Sequence, residues 1–191
     1  MSVEDVLSRI LGALVASDVP YMLTGSLASS YHGVPRSTHH VDIVIDPTEE
    51  QLRAFLALLP DDAYYKSESA ATEAFRRRSQ FNVVDFATGW KVGLIFCKRR
   101  AFSRMEFGRR RTVVALGLAL SMATPEDVLL AKLEWSALSG SERQLEDAAG
   151  IPREQGTGRD RGYIEQWVSA LGLQEQWRDT QGRAGGSSPA P

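Results

Sequence analysis

The sequence has 191 residues, of which 43% are hydrophobic and 24% charged, and its net charge is −2. This length and composition are typical of one compact globular domain with a small appendage. The near-neutral charge gives no overall attraction to nucleic acid or to a membrane, so any affinity for polyanions must come from local clusters of basic residues.

Cysteine content and the N-terminal segment exclude further classes. Cys97 is the only cysteine, which excludes a disulfide framework within the chain and a zinc site built mainly from thiolates. The first twenty residues carry charges at Glu4, Asp5, Arg9 and Asp18. We therefore expect neither a signal peptide nor a membrane span here, and we expect a cytoplasmic protein without a membrane partner.

The first third of the sequence predicts alternating helices and strands. Hydrophobic residues at spacings of three and four predict a helix over residues 3–17, with Ser2 as its N-cap. Thr48 and Gln51 have the spacing of a capping box, which predicts a helix from there to about Leu59. Between these two helices we expect a strand at 21–23, one or two helical turns at 27–32 and a strand at 40–45.

The rest of the sequence predicts a hairpin and then mainly helices. Two β-rich runs, 81–86 and 90–96, flank a short loop that contains Gly89 and is typical of a hairpin. Thr124 followed by Pro125 is typical of a helix start. The full set of further predicted elements is a helix at 67–77, a strand at 112–120 and helices at 124–138, 142–149 and 161–171.

This order of elements predicts an α+β fold, with a mixed β-sheet flanked by helices and a C-terminal helical cap. We expect an α/β core at residues 1–121, a helical cap packed on that core at 122–181, and a disordered tail at 182–191, because the tail has no residues that would bury a core.

Polar residues interrupt the otherwise apolar strand at 40–45. Because side chains alternate along a strand, His40 and Asp42 are expected to share one face. Gly25 and Ser26 follow the preceding strand and open a helical segment, so their backbone N–H groups and the serine hydroxyl can hold phosphate oxygens. With Arg36 nearby in the sequence, these residues predict a site for a triphosphate and a metal ion.

The same residues resemble a known family. Thr24-Gly25-Ser26-Leu27-Ala28, the segment from His32 to Thr38, and His40-Val41-Asp42 are similar to the signature of polymerase-β-type nucleotidyltransferases, in the minimal AbiEii-like branch that includes toxins of toxin-antitoxin systems. Downstream, Pro125 to Trp135 and Arg143 to Asp147 resemble helical segments of the toxin motifs. The resemblance implies that Gly25 and Ser26 bind the nucleoside triphosphate, with Lys132, Arg143 and Asp147 also in the substrate site.

The family pattern also implies an Asp-x-Asp pair and a third aspartate that together hold two Mg²⁺ ions. In this sequence His40 and Gly93 stand at two of those positions, and only Asp42 remains. Mg²⁺ requires oxygen ligands, so we expect weak or altered binding of Mg²⁺ or Mn²⁺ by Asp42 and His40. The alternative for His40 is a hydrogen bond to the neighbouring carboxylate. Asp85 is either a stand-in carboxylate on the Gly93 face or the partner of Lys91 in a cross-strand salt bridge.

Basic residues are concentrated in one segment. Seven lysines and arginines lie between Lys98 and Arg111, with Glu106 as the only acidic residue there. This segment predicts either a binding surface for triphosphate or RNA phosphates or an ordinary solvated surface. Phe102 and Phe107 are expected to anchor it to the core as a loop. Lys132 lies on an apolar helical stripe, which predicts an inward side chain that Asp147 can pair with.

Two classes of function agree with these residues. The first is a nucleotidyltransferase that binds a nucleoside triphosphate and transfers a nucleotide monophosphate to a hydroxyl of RNA, protein or a small molecule, with Asp42 and His40 as catalytic residues. The second is an inactive relative that acts as a nucleotide-, RNA- or protein-binding module. The expected partners are a nucleotide, RNA such as tRNA, and a cognate antitoxin protein; an antitoxin-like or scaffolding role is a third alternative.

Overall fold

The computed structural model describes residues 3–155 and 160–185. These residues form nine helices and seven strands, which confirms the predicted α+β class. None of the helices in these ranges is long and apolar enough to cross a membrane. The elements in chain order are α1 (Val3–Ala16), β1 (Tyr21–Thr24), α2 (Gly25–His32), β2 (His40–Ile45), α3 (Glu49–Ala57), β3 (Tyr64–Tyr65), α4 (Glu68–Arg77), β4 (Gln80–Asp85), β5 (Lys91–Phe96), α5 (Ala101–Arg109), β6 (Arg111–Ala115), β7 (Leu118–Met122), α6 (Pro125–Ser139), α7 (Glu142–Gln155), α8 (Arg161–Leu171) and α9 (Gln174–Gly185).

The chain divides into two compact units. The first contains the residues up to Thr24 together with Thr38–Ala123, and the second contains Gly25–Ser37 and the described residues from Thr124 onward. This division differs from the boundary expected between residues 121 and 122. Helix α2 packs on α6 and α7, so residues 25–37 group with the C-terminal helices although they lie early in the sequence.

The first unit is built on a seven-stranded mixed sheet in the order β3-β4-β5-β2-β1-β7-β6. Strand β2 lies in the middle, antiparallel to β1 and parallel to β5. Its residues Val41, Ile43, Val44 and Ile45 are buried, as expected for a central strand covered on both faces. The predicted strand at 40–45 is confirmed at both ends.

Helix starts in the first unit follow the sequence signals. Helix α1 buries Val6, Leu7, Ile10, Leu11 and Leu14 at the predicted spacing. In α3 the Thr48 side chain accepts from the Gln51 backbone and the Gln51 side chain accepts from the Thr48 backbone, which confirms the capping box. The predicted N-cap Ser2 lies outside the described residues.

The single strand predicted at 112–120 is wrong, because the structure has a hairpin of β6 and β7 there. Leu116 and Gly117 between them have φ values of 53° and 72°. Two consecutive residues with positive φ form the tight turn whose twist matches paired antiparallel strands. Leucine is uncommon at such a position, so Gly117 is the turn signal in this segment, and the single-strand prediction overlooked it.

The basic segment is a helix rather than the expected loop. Helix α5 covers Ala101–Arg109, and Phe102 and Phe107 are buried as predicted. Only these two aromatic anchors, five residues apart, and Ser103 are buried in this helix, so its sequence lacks the regular helical periodicity. The Arg110 guanidinium lies over the Phe107 ring, 4.2 Å from its centre.

The second unit consists of α2 and the helices from α6 to α9. The residue after α2 approaches α7 closely at two glycines: a Cβ atom at Gly33 would lie 2.8 Å from the backbone nitrogen of Ile151 and 2.9 Å from the carbonyl carbon of Gly150. Thr124 caps α6 and Pro125 begins it, as predicted. Asp127 in its first turn is buried and accepts from the hydroxyls of Thr124 and Tyr163, both at 2.6 Å.

The C-terminal helices extend further than the sequence predicts. Helix α7 continues to Gln155 through Pro152, whereas the prediction ended at residue 149. Helix α9 was not predicted, and it includes the first four residues of the tail expected to be disordered. The remaining tail residues lie outside the described part of the chain.

Candidate functional site

Four residues on neighbouring strands of the first unit are aligned by strand pairing and share one face of the sheet. Asp42 on β2 is the partner of Thr24 on β1 and of Gly93 on β5. Gly93 is in turn the partner of Asn82 on β4. We call Thr24, Asp42, Gly93 and Asn82 the Asp42 row. His40 begins β2 two residues before Asp42 and therefore lies on the same face, as predicted.

Exposure increases toward the start of β2. His40 is exposed and Asp42 is half-buried, whereas Val41 and Ile43 on the other face are fully buried. Solvent and ligands therefore reach this face at His40 and Asp42. His39, the residue before β2, has its ring centre 5.5 Å from that of Trp90.

Gly93 leaves room for the Asp42 carboxylate. A Cβ atom placed on Gly93 would lie 3.1 Å from Asp42 Oδ1 and 3.7 Å from Asn82 Oδ1. Both side-chain oxygens therefore point toward the space above this glycine. No carboxylate stands at the position where the family resemblance implies a third aspartate, and the space is shared by one carboxylate and one amide.

Asn82 was missed by the sequence analysis. It lies half-buried on β4 between buried Phe81 and Val83, so the alternation of the strand marks it as a residue of the opposite face. Its proximity to Asp42 depends on the pairing of β4 with β5 and of β5 with β2. The sequence does not fix that register; it shows only that Asn82 is a polar residue between apolar ones on a strand.

Both predictions for Asp85 are wrong. Val84, rather than Asp85, is the partner of Lys91, and a shift by one residue turns a side chain to the other face of a strand. Asp85 instead accepts from the backbone and the hydroxyl of Thr88 at 2.9 and 2.8 Å and forms a salt bridge with Arg9. The Arg9 guanidinium also donates to the Tyr64 hydroxyl at 2.9 Å. Asp85 thus stabilises the hairpin turn and binds Arg9 of α1. It is not a member of the Asp42 row.

The Asp85 pKa reflects this environment. Burial raises the pKa of Asp85, but the hydrogen bonds from Thr88 and Arg9 and the positive charge of Arg9 outweigh it, so the pKa lies below its ordinary value. The carboxylate is ionised and paired at neutral pH.

The second unit contains a network that joins four predicted substrate-site residues. Arg36 donates from Nε and Nη2 to the two oxygens of Asp147, at 2.8 and 2.9 Å, and from Nη2 to Ser26 Oγ at 2.5 Å. Lys132 Nζ donates to Asp147 Oδ2 at 2.8 Å. We call Ser26, Arg36, Lys132 and Asp147 the Asp147 network. The predicted pairing of Lys132 with Asp147 and the inward position of Lys132 are confirmed.

Local structure positions each member of this network. Gly25 has a φ of 66°, which glycine adopts without strain, and α2 begins there with Ser26 in its first turn. Ser30 of α2 accepts from the Arg36 backbone at 3.3 Å, which holds the segment after the helix against it. Asp147 lies on α7 and Lys132 on α6, and the side chains of these two residues are 7% and 5% exposed.

The two cations act together on Asp147. Burial raises the pKa of Asp147, but hydrogen bonds from Arg36 and Lys132 and their positive charges outweigh this effect and place the pKa below its ordinary value. The Arg36 side chain is 29% exposed. A fixed, partly accessible guanidinium beside a serine hydroxyl in the first turn of a helix is a suitable environment for an anion.

The structure does not bring Arg143 into this network. Arg143 lies one turn before Asp147 on α7 and is exposed, while the Asp147 oxygens bind Arg36 and Lys132. The contribution of Arg36 to Asp147 was missed because the two residues are separated by 111 positions.

Comparison with known proteins identifies the fold. No protein-family model matches the chain, and no curated protein matches it in sequence. Among solved structures, the antibiotic-resistance factor ANT(2″)-Ia in solution is similar with a TM-score of 0.58 at 10% identity, over 92% of this chain and 96% of that chain. ANT(2″)-Ia in complex with adenylyl-2″-tobramycin gives a TM-score of 0.58 at 10% identity, over 90% of this chain and 97% of that chain.

A third similar structure is that of an antigenic nucleotidyltransferase-like protein from Paracoccidioides brasiliensis. Its TM-score is 0.54 at 16% identity, over 95% of this chain and 91% of that chain. The chain has a nucleotidyltransferase-like fold. At these identities the similarity concerns the fold, so the chemistry has to be argued from the residues of this chain.

The nucleotidyltransferase-like fold implies metal ions, and the residues present do not fit a two-magnesium site. The Asp42 row contains one carboxylate (Asp42), one amide (Asn82), one hydroxyl (Thr24) and a glycine, and His40 lies on the same face two residues before Asp42. Within residues 3–155 and 160–185, no group of three or more histidine, cysteine, aspartate or glutamate side chains is arranged to hold a metal ion. Two Mg²⁺ ions require more anionic oxygen ligands than this row supplies.

Proposed function

We propose that this protein binds a nucleoside triphosphate through Gly25, Ser26 and Arg36, and that its nucleotidyl transfer is weak or lost. The observation that carries the proposal is the bidentate contact of Arg36 with Asp147, which holds its Nη2 beside Ser26 Oγ. A phosphate oxygen near Ser26 would meet the hydroxyl, the guanidinium and the first N–H groups of α2. Lys132 and Asp147 fix this arrangement, and Arg143 is a further phosphate contact from the exposed face of α7.

The composition of the Asp42 row supports binding more strongly than catalysis. Phosphoryl-group transfer in this fold depends on neutralising the charge that develops on the phosphate, usually by metal ions held by carboxylates. Asp42 is the only carboxylate in the row. We therefore propose that Mg²⁺ binds weakly and that Mn²⁺, which tolerates a nitrogen ligand, binds Asp42 and His40 better.

A second candidate function is slow nucleotidyl transfer, and the Asn82 oxygen favours it by adding an oxygen donor to the Asp42 row. In that reaction an acceptor hydroxyl attacks the α-phosphorus and forms a new O–P bond. The bond from the α-phosphorus to the bridging oxygen breaks, pyrophosphate leaves with the electron pair, and the hydroxyl proton passes to a base, for which His40 is the candidate.

Nucleotide binding is tested by calorimetric titration of each nucleoside triphosphate. We expect Ser26→Ala and Arg36→Lys each to weaken binding about tenfold, because each removes a charge-assisted or hydroxyl hydrogen bond to a phosphate. Ser139→Ala changes an exposed serine of α6 and serves as the matched control. Wild-type protein that binds no nucleotide, or variants that bind as the wild type does, would refute the proposal.

Transfer is tested with labelled nucleotides, Mg²⁺ or Mn²⁺, and tRNA, protein and small-molecule acceptors. The proposal predicts binding without efficient transfer in the wild type and a gain of transfer in the double variant His40→Asp, Gly93→Asp. Wild-type transfer that disappears in Asp42→Asn and persists in Asp62→Asn, an exposed aspartate of the same unit, would establish the second candidate instead.

We further propose that the chain belongs to the AbiEii-like branch, with RNA such as tRNA as acceptor or ligand and a cognate antitoxin as partner. Support comes from Lys132 and Asp147, the two positions in the segments that resemble the toxin motifs, which bond to each other at 2.8 Å. Expression of the wild type in a bacterial host should arrest growth, and Ser26→Ala should relieve the arrest. Equal growth of both strains at equal protein levels would contradict a toxin role.

A further inference from the structure

A basic pocket lies in the first unit at the far end of β2 from His40. It has a volume of about 360 Å³ and is lined by Asp46, Arg78, Cys97, Lys98, Arg99, Arg104, Phe107 and Gly108. We call it the Arg99 pocket. Asp46 follows Asp42 by four residues along an extended chain, which places the pocket about 13 Å from Asp42.

The charges around the pocket are unbalanced. Arg78 is paired with Asp46 at 2.5 Å. Lys98, Arg99 and Arg104 are exposed, and the described part of the chain gives none of the three a carboxylate within ion-pair distance. Burial and the nearby charges of Asp46 and Glu106 raise the pKa of the Cys97 thiol to about 11. The thiol is therefore neutral at physiological pH and does not offset the positive charge.

The basic residues are also concentrated here relative to the rest of the protein. The segment from Lys98 to Arg111 contains seven basic residues and one acidic residue, whereas the whole chain has a net charge of −2. Arg76 lies exposed near the end of α4, two residues before Arg78. An ordinary solvated surface mixes both signs of charge, so this distribution favours a negatively charged ligand.

We propose that the Arg99 pocket binds a phosphate group of a ligand, separately from the triphosphate proposed at Ser26. A volume of about 360 Å³ is at the lower end of ligand pockets, which span about 300–1,000 Å³, so it accepts one phosphate with its attached sugar rather than a large molecule. Arg99 and Arg104 bind phosphate oxygens through their guanidinium groups, and Lys98 adds a third positive charge. The phosphate belongs to a phosphorylated small molecule or to the backbone of a single-stranded nucleic acid.

The experiment uses two probes on the full chain, inorganic phosphate and a single-stranded uridine oligonucleotide. Backbone amide NMR signals of residues 97–108 should shift on titration with phosphate, with the oligonucleotide, or with both. Shifts with phosphate alone assign the pocket to small phosphorylated molecules, and shifts with the oligonucleotide assign it to a nucleic-acid backbone. Absence of shifts with both probes would overturn the proposal.

Matched variants distinguish a specific phosphate-binding site from a surface that attracts anions only through its overall positive charge. Arg99→Ala with Arg104→Ala should weaken binding of the effective probe about tenfold. If the oligonucleotide binds, the slope of log Kd against the logarithm of the salt concentration should decrease by about two in this double variant. Arg161→Ala with Arg178→Ala removes two exposed arginines of α8 and α9 and should change affinity less than twofold. Equal losses in the two double variants would identify a non-specific charge effect and refute the pocket.

Ser26→Ala distinguishes this proposal from the proposed function. It should leave binding at residues 97–108 unchanged while it weakens nucleoside triphosphate binding about tenfold. Far-ultraviolet circular dichroism of each variant confirms that the exposed substitutions leave the fold intact.

Discussion

Two aspartates with little-exposed side chains, one in each unit, hold an arginine from a distant part of the sequence and serve different purposes. Asp85 accepts from Thr88 and pairs with Arg9, which anchors a hairpin turn and α1. Asp147 pairs with two cations, Arg36 and Lys132, and fixes the first of them beside Ser26. Burial and ion pairing alone therefore do not distinguish a structural carboxylate from one that prepares a binding site. The groups around the paired arginine distinguish the two kinds of carboxylate.

The largest expected effect is on stability when each aspartate is removed. Asp147→Ala should lower the free energy of unfolding by about 3 kcal/mol or more, because Lys132 stays buried without this carboxylate. Asp85→Ala should lower it by about 1–3 kcal/mol, since the Arg9 side chain is 39% exposed and can be hydrated. Urea unfolding measures both, with exposed Asp62→Ala as the control. A larger loss for Asp85→Ala than for Asp147→Ala would contradict this comparison.

A comparison of two glycines tests the rigidity of the two regions. Gly33→Ala should lower the free energy of unfolding by about 1–3 kcal/mol, because its Cβ would approach backbone atoms of α7 at 2.8 and 2.9 Å. Gly93→Ala should change it by less than about 1 kcal/mol, because the nearest atom, Asp42 Oδ1 at 3.1 Å, belongs to a side chain that can rotate. Thermal unfolding of both variants checks the order, and a greater loss for Gly93→Ala would show that the Asp42 carboxylate is held rigidly.

The pH dependence of stability should reflect both aspartates. Their pKa values are lowered in the folded state, so the stabilisation is complete above the unfolded value of about 3.9 and is lost as the pH falls through the folded values. Asp147→Asn should therefore flatten the decrease in the free energy of unfolding below about pH 4. Unfolding measured across the acid range checks this, and a variant curve parallel to that of the wild type would contradict it.

The last expected effect concerns the metal affinity of the Asp42 row rather than the stability of the protein. Asn82→Asp places a second carboxylate near Gly93, where both side-chain oxygens now point. We expect Mn²⁺ affinity to increase about tenfold, since the added negative charge provides a better oxygen ligand than an amide. Paramagnetic broadening of the Asp42 signals measures it, with Asn82→Leu as the variant that should reduce the affinity. Unchanged broadening in Asn82→Asp would exclude Asn82 from the metal environment.

Local signals in the sequence predicted much of the fold. The ends of β2 followed from its apolar run between His40 and Pro47, and the starts of α3 and α6 followed from the side-chain caps of Thr48 and Thr124. Helix α5 was missed because its buried residues lack helical spacing. The β6–β7 hairpin was missed because Leu116 adopts a positive φ, a backbone conformation that leucine rarely adopts.

The candidate site was predictable only where residues lie on neighbouring turns or strands. His40 and Asp42 follow from strand alternation, and the pairing of Lys132 with Asp147 followed from the need of a buried amine for a partner. Asn82 and Arg36 required the strand register and the packing of α2 on α7. The error at Asp85 came from a register shift of one residue, which no local pattern specifies.

The burial of Cys97 has a practical use in labelling chemistry. Cys97 is 6% exposed, and because the pKa of its thiol is about 11, almost none of it is thiolate, the form that reacts with maleimides. The native cysteine therefore stays unlabelled, and a cysteine introduced at an exposed position such as Arg178 can carry a fluorophore or spin label without prior removal of Cys97.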